Sequence, residues 1–260
     1  MDNFSHPKPV ALFIFAHQDD EFGVFQKIID EQRLGRQVCC AYLTDGATVR
    51  SSSYRRNCES VFVLSKLGVQ EADIFFSGQS LGITDSSLYE HIETAANWLR
   101  DWISSYPQVL SLYVPAWEGG HHDHDVLHAI VATISDQKGL MISLKQFSLY
   151  NANRCFGPFF RILSPLKANG LVEETRIPIR HRFRFLFYCL CYPSQKNTWI
   201  GLFPFVILYY FFNGKQNLQS TSLNRLSCRP HEGELYYEKR GFYTWQKMEA
   251  CLSIWRYSDS

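Results

Sequence analysis

A chain of 260 residues, 46% hydrophobic and 20% charged, is long enough to bury a substantial core and too apolar to be disordered. Its net charge of +1 argues against a nucleic-acid binder that relies on a broad basic field. None of its eight cysteines forms a C-x-x-C pair, which argues against a thiolate zinc knuckle and fits the reduced thiols of a cytoplasmic protein.

Residues 10–16 are a continuous apolar run without alternation, as expected of a strand covered on both faces. Only one lysine precedes it and acidic residues follow, so it is not expected to be a signal peptide. A helical pattern follows to about Leu34, where Gly35 is a stop. Residues 38–43 predict a second strand ending at Thr44-Asp45-Gly46, and 54–67 a helix ended by Gly68. A third strand is expected over 72–76, a long amphipathic helix over 87–105 and a fourth strand over 109–114. A helix from Asp123 to about Lys138 and a fifth strand over 146–151 complete the series. Alternating strands and helices predict a Rossmann-like α/β fold with a largely parallel sheet. Residues 1–152 are read as the catalytic core. Residues 153–260 are read as an aromatic-rich C-terminal extension that completes the fold and pocket, in one domain overall. Residues 197–214 carry no charge and are strongly apolar, interrupted by Pro204. Three readings of this stretch stay open: a buried core or lid segment, a membrane-surface contact, or a span.

Two polar clusters each follow a predicted strand, and ligands of such sheets sit outside the strands' carboxyl ends. The first is His17, Asp19, Asp20 and Glu21. Helix capping accounts for its acids but not for His17. The second, His121-His122-Asp123-His124-Asp125, is hard to explain as a solvated helix start. Imidazole and carboxylate are the usual donors of a catalytic zinc site.

Ala16-His17-Gln18-Asp19-Asp20-Glu21 resembles the Ala-His-Pro-Asp-Asp-Glu signature of the LmbE-like, or PIG-L, de-N-acetylases, and His121-His122-Asp123-His124 resembles their His-Pro-Asp-His signature. That family includes deacetylases of glucosaminyl-phosphatidylinositol, mycothiol and bacillithiol precursors. Thr44-Asp45-Gly46, Arg56-x-x-Glu59 and Leu67-Gly68 are similar to its Thr-x-Gly loop and following helix. The likeness covers about residues 9–152. Gln18 and His122 stand where the signatures have proline, which bears on loop rigidity rather than on the implied ligand positions. The resemblance implies His17, Asp20 and His124 as ligands of Zn2+, with Asp19 as general base. It implies His121 as oxyanion donor or proton donor to the leaving amine, and Asp123 as the residue orienting His121. The chemistry agrees: a carboxylate beside an activated water takes its proton, and an imidazole donor stabilises the oxyanion. A two-histidine, one-carboxylate set also accepts Fe2+.

Substrate contacts are open between functional and structural readings. Arg56 could hold a phosphate or sugar hydroxyl, or lie on a helix surface. Asp45 could touch substrate or form a turn. Trp117 could stack on a sugar, and Arg229 with His231 could close the pocket. Glu21 is expected to support the site from behind, and His128 either does the same or lies on the plain surface of its helix.

The function expected is zinc-dependent N-deacetylation of an N-acetylglucosamine-type sugar, small or lipid-linked. The alternatives are an amidase of another acyl amide and a non-catalytic sugar-binding protein. The protein is expected in the cytoplasm, with possible peripheral membrane contact through 197–214, where Arg180, Arg182 and Arg184 precede the apolar run.

Overall fold

The computed structural model describes residues 8–48 and 51–258. Strand β1 (Val10–Phe15) is followed by helix α1 (Phe25–Arg33), β2 (Gln37–Tyr42), α2 (Ser53–Leu67), β3 (Ile74–Phe75) and α3 (Ser77–Leu81). Then come α4 (Ile92–Ser104), β4 (Val109–Pro115), α5 (His122–Gln137) and β5 (Leu144–Phe147). A small ribbon is formed by β6 (Tyr150–Asn151) and β7 (Arg161–Ile162). The rest comprises β8 (Val172–Arg176), α6 (Ile179–Cys189), α7 (Lys196–Phe212), β9 (Lys215–Ser220), α8 (Tyr236–Lys239) and α9 (Trp245–Ser258).

The main sheet has the order β3-β2-β1-β4-β5-β9-β8. Its first five strands run parallel, and β9 and β8 join antiparallel. The apolar run of β1 is buried throughout because helices cover both faces. Val10, Leu12 and Ile14 enter one core with α4, α5 and α9, whereas Ala11, Phe13 and Phe15 enter the other with α1, α2, α6 and α7. From β1 the chain winds outward to β2 and β3, then returns to β4 on the opposite side. The strand order therefore reverses between β1 and β4, and a crevice opens at their carboxyl ends.

Three expected elements are interrupted. The helix expected after the 17–21 cluster starts only at Phe25, after a short 3-10 turn (Asp20–Gly23). The Asp20 carboxylate folds back onto the backbone N–H groups of Ala16 and His17 at 3.0 and 2.8 Å, and Asp19 sits at φ 117°. The helix expected over 87–105 breaks at His91, because the preceding turn is fixed from outside when Leu88 N–H donates to Asp123 Oδ1 at 3.1 Å. The expected strand 146–151 splits into β5 and β6. Glu118, buried beneath it, accepts the Leu149 and Tyr150 N–H groups at 2.6 and 3.0 Å, which a continuous ladder would use.

The apolar stretch 197–214 corresponds mostly to α7. Among the described residues no helix is long and apolar enough to cross a membrane, which removes the spanning reading.

Candidate active site

The loops after β1 and β4 meet because these strands are hydrogen-bonded neighbours. His17 Nδ1 lies 3.3 Å from His124 Nε2, and His124 Nε2 lies 3.0 Å from Asp20 Oδ1. His17 Nδ1 is 3.8 Å from Asp20 Oδ2. All three residues are buried, and one donor atom of each lies within 4.8 Å of the others. Two nitrogens and a carboxylate thus point at one small volume.

Asp123, on the first turn of α5, holds the opposite side of His17. Its Oδ2 is 3.0 Å from His17 Nε2 and accepts the Ser86 N–H at 2.7 Å. With the His17 proton placed on Nε2, the Nδ1 lone pair faces His124 and Asp20. The sequence expectation had Asp123 orienting His121. Instead, its carboxylate is 3.9 Å from His121 Nδ1, and that nitrogen accepts the Asp123 N–H at 3.2 Å. An imidazole nitrogen accepting a backbone N–H has no proton left to give a carboxylate. His121 therefore carries its proton on Nε2, away from the helix it caps.

The charges are strongly coupled. Burial opposes a proton on His17, yet Asp85, Asp123 and Asp20 outweigh it and hold this imidazole well above its ordinary pKa. Burial likewise opposes ionisation of Asp20, but His124 and His17 hold it well below the usual carboxylate range. Burial and the charge on His17 lower His121. Asp19 is pushed up to about 8, first by burial and then by Asp20 and Glu21, against the pull of Arg56. Its left-handed backbone is a strained position, and the Glu21 carboxylate fixes it by accepting the Asp19 N–H at 2.9 Å.

Arg56 is buried rather than on a helix surface. It donates to the carbonyls of Gly46 and Gln18 at 2.5 and 2.6 Å, and pairs with Asp85 at 3.2 Å and Asp19 at 3.4 Å. The Asp45 carboxylate accepts the Ala47 and Asp85 N–H groups, a turn role. Trp117 is fully buried, with its indole N–H on the Cys228 carbonyl at 3.0 Å and its ring against Trp245, so no face remains to stack on a sugar. Arg229 pairs with Glu238, and His231 Nδ1 lies 2.7 Å from the Glu232 carbonyl, so these contacts stay within the C-terminal segment. The two residues standing in place of proline anchor their loops through side chains. Gln18 donates to Asn57 at 2.7 Å, and His122 Nε2 lies 3.0 Å from the Ser86 carbonyl while its ring stacks on Tyr243.

Two neighbours escaped the sequence reading. Asp85 Oδ1 is 3.4 Å from His17 Nε2 and, with His121 and Asp123, completes a second group of metal-type donors around that nitrogen. It lies in the loop before the helix expected from residue 87, held there by Arg56 and the Asp45 carboxylate. The Tyr150 ring stands edge-on to His124 at 5.8 Å. No spacing signal marks it.

A largely parallel sheet with a buried His/Asp group at its topological switch point defines an α/β fold carrying a site suited to a metal ion. Residues 12–135 match the family described as PIG-L: GlcNAc-PI de-N-acetylase, and this match supports a hydrolytic deacetylase acting on acetamides. No curated protein matches the chain. Among solved structures it is similar to a deacetylase triple mutant (Orf2*T) of the teicoplanin biosynthetic pathway, at 14% identity and TM-score 0.62, covering 82% of this chain and 98% of that one. It is also similar to the A40926 pseudoaglycone deacetylase Dbv21, at 13% identity and TM-score 0.61 over 83% and 98%. A third is the N,N'-diacetylchitobiose deacetylase of Pyrococcus horikoshii, at 16% identity and TM-score 0.56 over 85% and 87%. At these identities the likeness is one of fold.

Proposed function

We propose that this protein is a divalent-metal-dependent N-deacetylase that hydrolyses the acetamide of an N-acetylglucosamine-type sugar. The observation that carries the reading is the convergence of His17 Nδ1, His124 Nε2 and the Asp20 carboxylate on one buried volume, with Asp19 beside it. The residues fit a cation on physical grounds: the field of Asp20, Asp85 and Asp123 that draws a proton onto His17 would equally hold a metal ion. His17, Asp20 and His124 would be its ligands, and this donor set suits zinc first and ferrous iron second. When bound, such an ion polarises the acetamide carbonyl and lowers the pKa of water at the site.

The chain's own groups supply the rest. Asp19 is 13% exposed at the mouth of the site and takes the proton of the attacking water. With a cation held by the neighbouring ligands, Asp19 would be drawn toward its ionised form, against the burial that raises its pKa. Arg56 holds the Asp19 carboxylate from behind, and Glu21 holds its backbone. His121, with its proton on Nε2, donates to the developing oxyanion. Asp123 fixes the tautomer and ring of His17. Two of the similar folds act, by their names, on N,N'-diacetylchitobiose and on the A40926 pseudoaglycone, which supports an amino-sugar substrate here.

The test is metal analysis of the purified protein followed by acetate release from a panel of N-acetyl sugars. A metal-loaded protein that releases acetate, and an Asp19→Asn variant that keeps the metal and does not, support the reading. Sugar binding with no turnover at any metal loading refutes it.

A further inference from the structure

Helix α7 is apolar all round, and a helix of that kind is ordinarily buried on every side or set against lipid. Here it is half covered. Trp199, Leu202, Val206 and Tyr210 face the core, whereas Ile200, Leu208, Phe211 and Phe212 face outward. Neighbouring α6 repeats the pattern, with His181, Phe185 and Tyr188 inward and Phe183 and Phe187 outward one turn apart. These six outward side chains are 52–86% exposed. Phe183 meets Phe211 edge-on at 6.0 Å, so the two stripes form one surface. Arg182 ties the helices together by donating to the carbonyls of Ile177 and Tyr210. Six large apolar side chains exposed side by side on a folded chain mark an interaction site.

We propose that the joint outer face of α6 and α7 docks on the surface of an anionic phospholipid bilayer. Charge selects this partner. Between Thr175 and His231 the chain has eight Lys and Arg and no Asp or Glu, although its net charge is only +1. Arg180 and Arg184 are exposed on α6 beside the phenylalanines, placed to meet acidic headgroups while the rings enter the interface. The face is also continuous with the site. Ring contacts run from His124 to Tyr150 (5.8 Å), Phe160 (6.4 Å) and Phe205 on α7 (5.2 Å). Docking would therefore set the crevice beside the headgroup layer. The inference does not rest on the deacetylase chemistry, and its readout is binding.

The experiment is co-sedimentation of the whole chain, at low and high salt, with vesicles of phosphatidylcholine alone and of phosphatidylcholine mixed with phosphatidylserine. Salt-sensitive binding to the mixed vesicles and little to the neutral ones is expected. A double Arg180→Gln, Arg184→Gln variant should bind about thirtyfold more weakly, equivalent to about 1 kcal/mol per arginine. A triple Phe183→Ser, Phe211→Ser, Phe212→Ser variant should lose binding while its circular dichroism stays unchanged. Equal binding to both vesicle types, or unaltered binding by the arginine variant, overturns the proposal. So does a sedimentation-velocity dimer that the phenylalanine variant dissolves, with no vesicle binding, because the face would then be covered by a second copy of the chain.

Discussion

Replacing Asp123 by Asn separates two roles that the sequence alone confuses. The carboxylate accepts three hydrogen bonds: Oδ2 takes Ser86 N–H at 2.7 Å and pairs with His17 Nε2 at 3.0 Å, and Oδ1 takes Leu88 N–H at 3.1 Å. Asparagine has one acceptor oxygen. Its best orientation keeps that oxygen on Ser86 and His17 and turns its NH2 against the Leu88 N–H. One buried donor is then orphaned, at a cost of about 1–3 kcal/mol of stability. The negative charge behind His17 is lost as well. Losing such a support weakens metal binding about tenfold to a hundredfold, or about 1.4–2.8 kcal/mol. Chelator competition on stripped protein measures the affinity directly, and the metal-induced rise in melting temperature, which follows the same affinity, should shrink. If Asp123→Asn binds metal like the parent and loses only turnover, then Asp123 serves His121, and the hydrogen-bond assignment argued from the structure is wrong.

Other perturbations have equally definite outcomes. Asp19→Asn should retain the metal and lose about 10²–10⁴-fold in acetate release, the usual contribution of a general base; unchanged turnover would remove Asp19 from that role. Gly78→Ala should destabilise by about 1–3 kcal/mol in denaturant titration, because the new Cβ would lie 2.3 Å from the Thr44 backbone and must push α3 off the end of β2; a neutral result would mean the two elements separate freely. His128 is buried with its Nδ1 2.8 Å from the Pro115 carbonyl, and burial lowers its pKa to about 4. The unfolded chain then binds the extra proton between about 6.5 and 4, so stability contributed by the neutral ring is lost as pH falls through that window, by about 3 kcal/mol. His128→Gln, compared with the parent in chelator so that metal release plays no part, should flatten that fall; parallel pH curves would refute the assignment.

The two clusters were legible in sequence because each breaks an apolar strand with residues a turn does not need. Their convergence was legible because parallel strands deliver their following loops to one rim. What sequence periodicity does not show is which carboxylate faces which imidazole. Asp123 sits two residues from His121 and more than a hundred from His17, yet the helix start aims its backbone N–H at the former and its side chain at the latter. Asp85 was hidden for a related reason: it stands in a short loop whose position is set by Arg56 and by the Asp45 turn, both contacts across the chain. Trp117 shows the reverse error. An aromatic beside a catalytic loop suggests stacking on a sugar, but α9 packs Trp245 against it and closes that face.

The same contacts explain how a strained residue persists at the site. Asp19 holds φ at 117°, a conformation costing about 1–3 kcal/mol for a residue other than glycine. Three groups over-determine it: the Asp20 carboxylate caps Ala16 and His17 just before it, Glu21 accepts its N–H just after it, and Arg56 reaches both the Gln18 carbonyl and its carboxylate. Glu21 is itself buried on Tyr42 Oη at 2.9 Å, and burial raises its pKa, so the support comes at the expense of a desolvated acid beneath the site. A helix starting directly at residue 19 would avoid both costs, but it would align the first-loop side chains along a helix face. The kink instead turns Asp20 inward to meet His124 and leaves Asp19 at the mouth. The kink at Asp19 and the 3-10 turn after it are therefore what give two adjacent aspartates different surroundings.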